Sequence, residues 1–261
     1  MKVLGILVVY DRERQTKARQ VFQSLLVNCS RNYTLCVVSN NPTLTTAEVI
    51  GSNSAAEFSG WDEGISQHNI DDYDAIVLAN DTFCTRRKFD ESDIQNFTRL
   101  LIAEANNHAH YIVGEMHWSI NYARMFKVRK FLLRWVRTSV FAIAPATLRA
   151  IQGVGIDPRT LDQLIQIHPA AGLNYADSVA PLAKERIQAW LFPVAESEGW
   201  HTARQADLKL LHLKAKSVLQ EICLSIRCEE AGAWFAPLNN QKTLRNIIFR
   251  ILYFFQRALP K

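Results

Sequence analysis

The stretch Tyr73-Asp74-Ala75-Ile76-Val77-Leu78-Ala79-Asn80-Asp81-Thr82 contains a short apolar run that ends at polar residues. A run of this length between turn-forming residues is typical of a central strand that is covered on both faces of a sheet. Ligands of open α/β sheets bind beyond the carboxyl ends of such strands. The Asp81 carboxylate follows that end, where it could hold a divalent cation that in turn holds phosphates. Alternatively, Asn80 and Asp81 only cap the next turn.

Strand and helix patterns alternate on both sides of this stretch. A continuous apolar run predicts a strand at residues 3–9, a β-rich run predicts one at 33–38, and we expect two further strands at 110–115 and 135–144. Helical spacing predicts helices at residues 15–27, 58–68, 90–106, 159–167, 179–191 and 205–227. The alternation predicts an α/β fold with a mostly parallel sheet and right-handed crossovers. We expect one domain over residues 1–235 and a separate C-terminal tail over residues 236–261.

Composition limits the classes of function. The chain has 261 residues, of which 48% are hydrophobic and 21% charged, so an intrinsically disordered chain is excluded. The net charge of +5 favours an anionic partner such as a nucleotide, a nucleic acid or a lipid head group. The apolar start is too short for a secretory signal, and no apolar segment is long enough to span a membrane. The five cysteines lack paired spacing, which favours reduced thiols in a cytosolic protein over a zinc site or disulfides.

Three segments in the first half carry a family likeness. Leu4-Gly5-Ile6-Leu7-Val8-Val9-Tyr10, Phe22-Gln23-Ser24-Leu25 and Val37-Val38-Ser39-Asn40-Asn41 together resemble the start of a GT-A-type glycosyltransferase. The nearest likeness is to bacterial family 2 transferases of the rhamnosyltransferase kind, and it covers roughly residues 3–85. In that family the first two strand ends hold the nucleoside of the sugar donor. A loop with an asparagine, a glycine-containing helix start and a strand with a D-x-D-type carboxylate follow, which correspond here to residues 53–64 and 79–82.

The resemblance implies transfer of a sugar from a nucleotide-sugar donor to a growing, lipid-linked bacterial surface polysaccharide, such as O-antigen, capsule or lipooligosaccharide. It assigns Asp11 and Asn41 to the nucleoside, Asn53 and Asp62 to the ribose or sugar, and Asp81 to the diphosphate or its metal, Mg²⁺ or Mn²⁺. Asn80-Asp81-Thr82 has one carboxylate where the family has two, which leaves metal dependence open. The family's Glu-Asp pair near the acceptor is also missing, so no base is assigned by the resemblance. We expect Asp81→Ala to abolish transfer and to leave the fold intact.

The chemistry of glycosyl transfer suggests further candidates. A diphosphate leaving group needs positive charge, and an inverting reaction needs a base for the acceptor's proton. The candidates for the base are Glu115, at a predicted strand end, and Asp177, at a predicted helix start. His117 could bind sugar hydroxyls and Trp118 could stack on a sugar ring, although a buried tryptophan and a satisfied histidine fit the same pattern.

Three basic or metal-binding candidates lie later in the chain. Arg137 and Lys214 could contact the donor's phosphates, and His212 could reach the same metal as Asp81. Each has a plainer interpretation as a solvated surface or helix residue.

The basic residues near the C-terminus suggest a membrane partner. Residues 242–257 combine a wide apolar face with three arginines and a lysine, without one acidic residue. Such a helix docks on anionic lipid, and the basic residues 124–134 could share its face. An ordinary helix packed on the domain is the alternative. We therefore expect a cytoplasmic protein on the inner face of the cell membrane, with a nucleotide-sugar donor, a glycan acceptor and no nucleic-acid partner.

Two other functions remain open on the sequence. A nucleotidyltransferase shares the sheet topology, but it needs a glycine-rich loop after the first strand, where this chain has Asp11-Arg12-Glu13-Arg14. A catalytically degenerate domain that binds a sugar or a membrane would also tolerate the single carboxylate.

Overall fold

Apolar runs form the strands and amphipathic runs form the helices of an α/β structure. The computed structural model describes residues 1–44, 47–85, 89–118, 134–168, 172–179, 181–193, 199–200 and 202–238. Within these ranges the strands are β1 (Lys2–Val9), β2 (Asn32–Ser39), β3 (Val49–Ile50), β4 (Ser54–Ala56), β5 (Ala75–Asn80), β6 (Tyr111–Trp118), β7 (Arg134–Ile143), β8 (Ile165–His168), β9 (Gly172–Tyr175) and β10 (Trp234–Pro237). The helices are α1 (Arg12–Cys29), α2 (Glu57–Ile65), α3 (Glu91–Asn107), α4 (Pro145–Ile151), α5 (Pro158–Leu164), α6 (Pro181–Leu191) and α7 (Leu208–Glu230), with a short 3₁₀ helix at Ile70–Asp72.

The main sheet is mixed but mostly parallel. Seven of the described strands form it in the order β10-β6-β7-β5-β1-β2-β3. Strand β7 runs antiparallel to both of its neighbours, and every other pair in the sheet is parallel. The α/β fold and the mostly parallel sheet that the sequence predicts are therefore confirmed.

Helices cover both faces of this sheet. On one face α1 and α3 pack over Val77 and its neighbours, and on the other face α2, α4 and α7 pack over Leu78. Residues 75–79 of β5 are all fully buried, because adjacent side chains of a strand point to opposite, covered faces. The predicted central strand is confirmed.

A smaller apolar cluster lies beside the sheet. It joins α5, α6, the hairpin β8–β9 and the first half of α7 around residues such as Leu161, Leu173 and Leu211. The 23-residue helix α7 extends from this cluster to the sheet, where it packs on β7. One long helix thus connects the two groups of elements.

Two sequence predictions of local structure are wrong. The helix predicted at 159–167 ends at Leu164, and Ile165–His168 form a strand instead. The domain boundary placed before residue 236 falls inside β10, whose Ala236 and Pro237 pair with Val113 and Gly114 of β6. Ala236 and Pro237 therefore belong to the sheet.

Several other expectations concern caps, thiols and membranes. Asp90 caps α3 in a reciprocal capping box with Asp93. All five cysteines are free thiols, and four of them are buried. No described helix combines the length and the hydrophobicity that crossing a bilayer requires. The predicted membrane-binding helix at 242–257 and most of the basic stretch 124–134 lie outside the described residues.

Candidate functional site

The carboxyl ends of β1, β2 and β5 meet at one edge of the sheet. Strand β1 lies between β2 and β5 and runs parallel to both. The chain continues from β1 to β2 on one side and later returns to β5 on the other side, so the connections diverge at β1. Such a divergence opens a crevice in which open α/β sheets bind their ligands. Tyr10, Asn40 and Asp81 directly follow the three strands at this edge.

Asp81 connects two of these strand ends. Its Oδ2 accepts hydrogen bonds from the backbone N–H groups of Tyr10 and Asp11, each at 2.8 Å. Its own backbone N–H donates to the Val8 carbonyl at 3.0 Å. The residue is only 5% exposed. Asp81 thus holds the loop between β1 and α1 against the end of β5, in addition to any role towards a ligand.

Charged groups of both signs surround Asp81. Burial raises the pKa of Asp81, against the opposing effects of the two amide hydrogen bonds and of Arg14. Asp11 caps α1 by accepting from the Glu13 N–H and forms an ion pair with Arg14 at 3.2 Å. Two carboxylates and one guanidinium from different elements therefore meet at the end of β1.

This donor set fits a divalent cation that prefers oxygen ligands, such as Mg²⁺ or Mn²⁺, and that is shared with a substrate. Mg²⁺ is commonly held by one or two carboxylates together with substrate phosphates and water, and Asp11 and Asp81 could supply the carboxylates. In the described part of the chain, no three His, Cys, Asp or Glu side chains form a group that could hold a metal without such a substrate. His212 does not contribute, since its Nε2 lies 2.7 Å from the Ile165 carbonyl oxygen in the smaller cluster.

The end of β2 is tied to the end of β1 by Asn41. Its Nδ2 donates to the Tyr10 carbonyl at 3.0 Å, and its Oδ1 accepts from Thr43 N–H and Oγ1. The neighbouring Asn40, which the sequence analysis did not single out, is 3% exposed and donates to the Ala56 carbonyl at 2.7 Å. Asn41 therefore lies at the predicted place, while Asn40 holds the loop before α2.

Tyr10 is a second residue that sequence reasoning missed. Its side chain is 58% exposed although it directly follows a buried strand. An exposed aromatic ring at a ligand crevice offers a stacking surface for a base or a sugar. The signal available in the sequence was an aromatic residue at the junction of an apolar run and a charged segment.

Asn53 and Asp62, the predicted ribose or sugar contacts, have different surroundings. Asn53 lies in the loop before β4 with a positive φ of 53°, and its Oδ1 is 3.4 Å from Asn40 Nδ2. The Asp62 carboxylate accepts from the backbone N–H groups of Val154 and Gly155, at 2.7 and 2.8 Å. The structure therefore places Asn53 near the edge but commits Asp62 to the loop after α4.

Glu115 and Arg137 face each other across an irregularity between β6 and β7. Gly114 pairs with Phe141 and Met116 with Val136, so Glu115 alone stands opposite the four residues 137–140 of β7. Such a bulge redirects side chains next to a sheet edge. Glu115 forms an ion pair with Arg137 at 3.5 Å. The bulge ends at Val140, which pairs with Ala79 of β5, so these residues lie beside the strand that leads to Asp81.

A further carboxylate beneath this bulge was not predicted. Glu221 of α7 accepts hydrogen bonds from Trp135 Nε1 at 2.9 Å and from Thr138 N–H and Oγ1 at 3.2 and 2.9 Å. Burial raises the pKa of Glu221, although the hydrogen bonds from Thr138 and the charge of Lys214 act in the opposite direction. Glu221 fixes the shape of the bulge from the face that α7 covers.

The remaining candidates divide into two places. His117 and Trp118 end β6 at the same edge, where they pair with Trp135 and Arg134. Asp177 is exposed in the turn between β9 and α6, which begins only at Pro181. The end of β6, with residues 117 and 118, therefore lies at the same edge of the sheet as Asp81, whereas Asp177 lies with the smaller cluster.

Lys214 also belongs to that second place. Its Nζ lies 5.7 Å from the centre of the Trp190 ring, a cation–π contact between α7 and α6. Its positive charge also lowers the pKa of Glu221, which lies further along the same helix. Lys214 is therefore engaged by neighbouring helices.

Comparison of the chain with protein-family models, with curated proteins and with solved structures finds no match.

Proposed function

We propose that the protein is a glycosyltransferase of the GT-A type that takes its sugar from a nucleotide-sugar donor. The observation that carries this proposal is the meeting of Tyr10, Asp11, Asn41 and Asp81 at the divergence of β1, β2 and β5. These residues follow the strands in the order that the family resemblance assigns to the nucleoside and to the diphosphate. An exposed aromatic ring, an amide and two carboxylates suit a base, a ribose and a metal-bound diphosphate.

The donor's phosphates would lie against the end of β1. Asp81 and Asp11 would hold a divalent cation that neutralises the diphosphate as it leaves, and Arg14 would add positive charge at the start of α1. Since Asp81 also fixes the loop that carries Tyr10 and Asp11, it would position both of these residues for the donor.

The transfer step needs a base for the acceptor's proton. The acceptor oxygen bonds to the anomeric carbon while the bond from that carbon to the diphosphate breaks, and the proton goes to a carboxylate. Glu115 is not at a strand end as predicted, because β6 continues to Trp118. It is still favoured over Asp177, because it lies opposite residues 137–140, beside the strand that leads to Asp81, whereas Asp177 lies in the smaller cluster. Glu115 is held in the ion pair with Arg137, and it could accept the proton once the acceptor or the donor's phosphates draw Arg137 away.

One observation favours a second candidate, a domain that binds a nucleotide sugar without turnover. The carboxylates at the edge already have partners, Asp81 with two amides and Glu115 with Arg137. Release of nucleoside diphosphate from nucleotide sugars in the absence of acceptor separates the two functions. A transferase should release nucleoside diphosphate slowly in the presence of Mg²⁺ or Mn²⁺, and its Asp81→Asn variant should not. A binding domain should release none.

A membrane-bound acceptor is part of the proposal. The basic and apolar residues 242–257 would dock on anionic lipid at the inner face of the cell membrane and bring the site to a lipid-linked glycan. Its support is the charge and the spacing of the sequence.

A further inference from the structure

The bulge of β7 is held from α7 by two polar side chains that lie one helical turn apart. Ser225 Oγ accepts a hydrogen bond from the Val136 N–H at 3.0 Å. Glu221 accepts from Trp135 Nε1 at 2.9 Å and from the N–H and Oγ1 of Thr138 at 3.2 and 2.9 Å. The carboxylate of Glu221 therefore receives three hydrogen bonds from one short stretch of β7.

One of these bonds replaces a bond that the sheet does not supply. Among the described strands, neither β5 nor β6 pairs with residues 137–139 of β7. Thr138 is only 3% exposed, so its N–H group needs an acceptor inside the protein. Glu221 is that acceptor. The backbone of the bulge therefore takes its shape from a side chain of α7.

Arg137 directly precedes Thr138 and directs its side chain out of the bulge. Its side chain is 47% exposed, and its guanidinium lies 3.5 Å from the Glu115 carboxylate. Strand β7 runs antiparallel to β5, and Val140 pairs with Ala79, so Arg137 lies about level with the end of β5. Neighbouring strands are about 5 Å apart. A phosphate bound at the end of β5 would therefore be within reach of this guanidinium.

A carboxylate is a costly side chain in this place. Burial raises the pKa of Glu221, against the hydrogen bonds from Thr138 and Trp135 and the charge of Lys214. Replacement of a buried charged group by an apolar one is often neutral or even stabilising. Residues that break such a rule are expected at functional sites. A carboxylate can accept at both of its oxygens, whereas an amide has one accepting oxygen, so Glu221 suits three converging donors.

We propose that Glu221 is a positioning residue that directs Arg137 towards an anion at the edge of the sheet. Glu221 fixes the backbone of Thr138, which in turn fixes the direction in which the Arg137 side chain leaves the strand. The guanidinium faces Glu115 without a ligand and turns to the anion when one binds. The identity of that anion as the diphosphate of a nucleotide sugar rests on the proposed glycosyltransferase function, whereas the positioning of Arg137 can be tested without it.

A double-mutant cycle on donor affinity tests the proposal. Titration calorimetry of the full chain with UDP-, dTDP-, GDP- and CMP-sugars and Mg²⁺ gives the Kd of the tightest ligand. It is repeated for Glu221→Gln, Arg137→Ala and the double variant. We expect each single variant to weaken binding about fivefold or more, and Glu221→Gln to add less than about twofold once Arg137 is replaced. A residue that acts through Arg137 has little left to contribute without it.

Ser225→Ala is the matched control, because it removes the other hydrogen bond from α7 to this stretch. Its partner Val136 also pairs with Met116 of β6, so the strand should stay in place there. We expect Ser225→Ala to lower the Tm but to change the Kd less than about twofold. The proposal is overturned if Ser225→Ala weakens binding as much as Glu221→Gln does, or if the effect of Glu221→Gln is the same with and without Arg137.

If Glu221→Gln does not fold, Thr138→Val takes its place in both comparisons. It removes only the hydrogen bond from Oγ1 and leaves that from the N–H group.

A second measurement needs no donor. The coupling between Glu115 and Arg137 follows from the unfolding equilibrium constants of Glu115→Gln, Arg137→Ala and their combination, in the wild-type and in the Glu221→Gln background. Ion pairs near the surface change such constants by up to about fivefold. We expect a coupling of about twofold or more in the wild type and none in Glu221→Gln.

A coupling that is absent from the wild type, or equal in the two backgrounds, overturns the positioning role of Glu221. If no nucleotide sugar binds the wild-type chain, the transferase function is rejected. The coupling between Glu115 and Arg137 then decides by itself whether Glu221 positions Arg137.

Discussion

The carboxylate of Asp81 accepts a hydrogen bond of 2.8 Å from the backbone N–H of Asp11, a residue 70 positions earlier in the chain. This bond joins the carboxyl ends of β5 and β1, where the connections of the sheet diverge. A residue that the sequence predicts to bind a metal or phosphate is therefore also part of the framework of the proposed site.

Replacement of Asp81 should separate these two roles. Asp81→Ala leaves two backbone N–H groups without their acceptor, so the free energy of unfolding should fall by about 1–3 kcal/mol. The expectation that this variant keeps its fold intact is revised accordingly. Asp81→Asn retains an oxygen for both amides and removes the charge, so it should lose less stability than Asp81→Ala but bind nucleotide sugar poorly. Urea unfolding measures the stability, with exposed Asp72→Ala as the control. Wild-type stability of Asp81→Ala would contradict the framework role.

Asp62 should act on stability and not on the donor. Each of the two Asp62 carboxylate oxygens accepts from one backbone N–H, of Val154 or of Gly155. Asp62→Asn replaces one of these oxygens by an NH₂ group, which cannot accept, so one hydrogen bond to the loop is lost. We expect the free energy of unfolding to fall by about 1–3 kcal/mol while donor affinity stays unchanged. Urea unfolding and equilibrium dialysis of the donor give the two quantities. Weakened donor binding with unchanged stability would restore the assignment to the ribose or sugar that the sequence suggests.

Glu221 should make stability depend on pH. Burial raises its pKa in the folded protein above the ordinary value of 4.5, so the folded state keeps the proton to a higher pH than the unfolded state does. Glu221 therefore adds its greatest stability to the folded protein below pH 4.5, and this added stability is lost as the pH rises through the pKa of the folded state. Glu221→Gln cannot titrate. The stability difference, wild type minus Glu221→Gln, should be larger at about pH 5 than at about pH 7.

Exposed Glu230 on the same helix supplies the control for that experiment. The stability difference between wild type and Glu230→Gln should change less between the two pH values. Urea unfolding at each pH provides both differences. A Glu221→Gln difference that grows with pH would show that the folded protein favours the charged carboxylate, contrary to this account.

Deletion of residues 242–261 should release the protein from anionic vesicles. The four basic residues at 242–257 contribute about 1 kcal/mol each near such a surface, and salt screens them, whereas apolar burial is nearly insensitive to salt. High salt alone should therefore loosen binding only in part. Co-sedimentation with vesicles that contain phosphatidylserine measures both effects, and a soluble acceptor analogue should still be glycosylated. Unfolding or aggregation of the truncated chain would instead place the segment in the core.

The sequence predicted the strands that are buried on both faces better than it predicted the edges. Residues 3–9 and 75–79 are continuous apolar runs, residues 33–38 are rich in strand-forming residues, and the structure places all three in adjacent strands. The four-residue strand β10 was missed because its pairing with β6 joins residues more than a hundred positions apart. Strand β8 continues a helical pattern through Ile165, and periodicity cannot distinguish so short a strand from the end of a helix.

The sequence predicted where candidate site residues lie along the strands, but not which groups they contact. An acidic residue after a central strand was enough to single out Asp81, but its two amide partners depend on the register between β1 and β5. The same holds for Glu221, whose partner Thr138 lies 83 residues earlier. Tertiary packing decides which of several similar carboxylates is committed to the framework.

Tyr10 allows the donor site to be tested locally. Its ring is exposed, so Tyr10→Ala should change stability by less than about 0.5 kcal/mol. The loss of stacking should weaken nucleotide binding by about 1 kcal/mol or more, roughly fivefold. Tyr10→Phe should retain the affinity, and Phe192→Ala, an exposed aromatic residue outside the edge, should not change it.

The most direct test of the central claim is a thermal-shift measurement of the wild-type chain and Asp81→Asn with a panel of UDP-, dTDP-, GDP- and CMP-sugars, with and without Mg²⁺ or Mn²⁺. A ligand that binds only the folded state stabilises it by about 2.7 kcal/mol at one hundred times its Kd. For a domain of this size we expect at least one nucleotide sugar to raise the Tm of the wild type by about 5 °C or more. Asp81→Asn should show a much smaller shift. If no nucleotide sugar raises the Tm of the wild type under any of these conditions, or if Asp81→Asn responds as fully as the wild type, the proposed donor site is wrong.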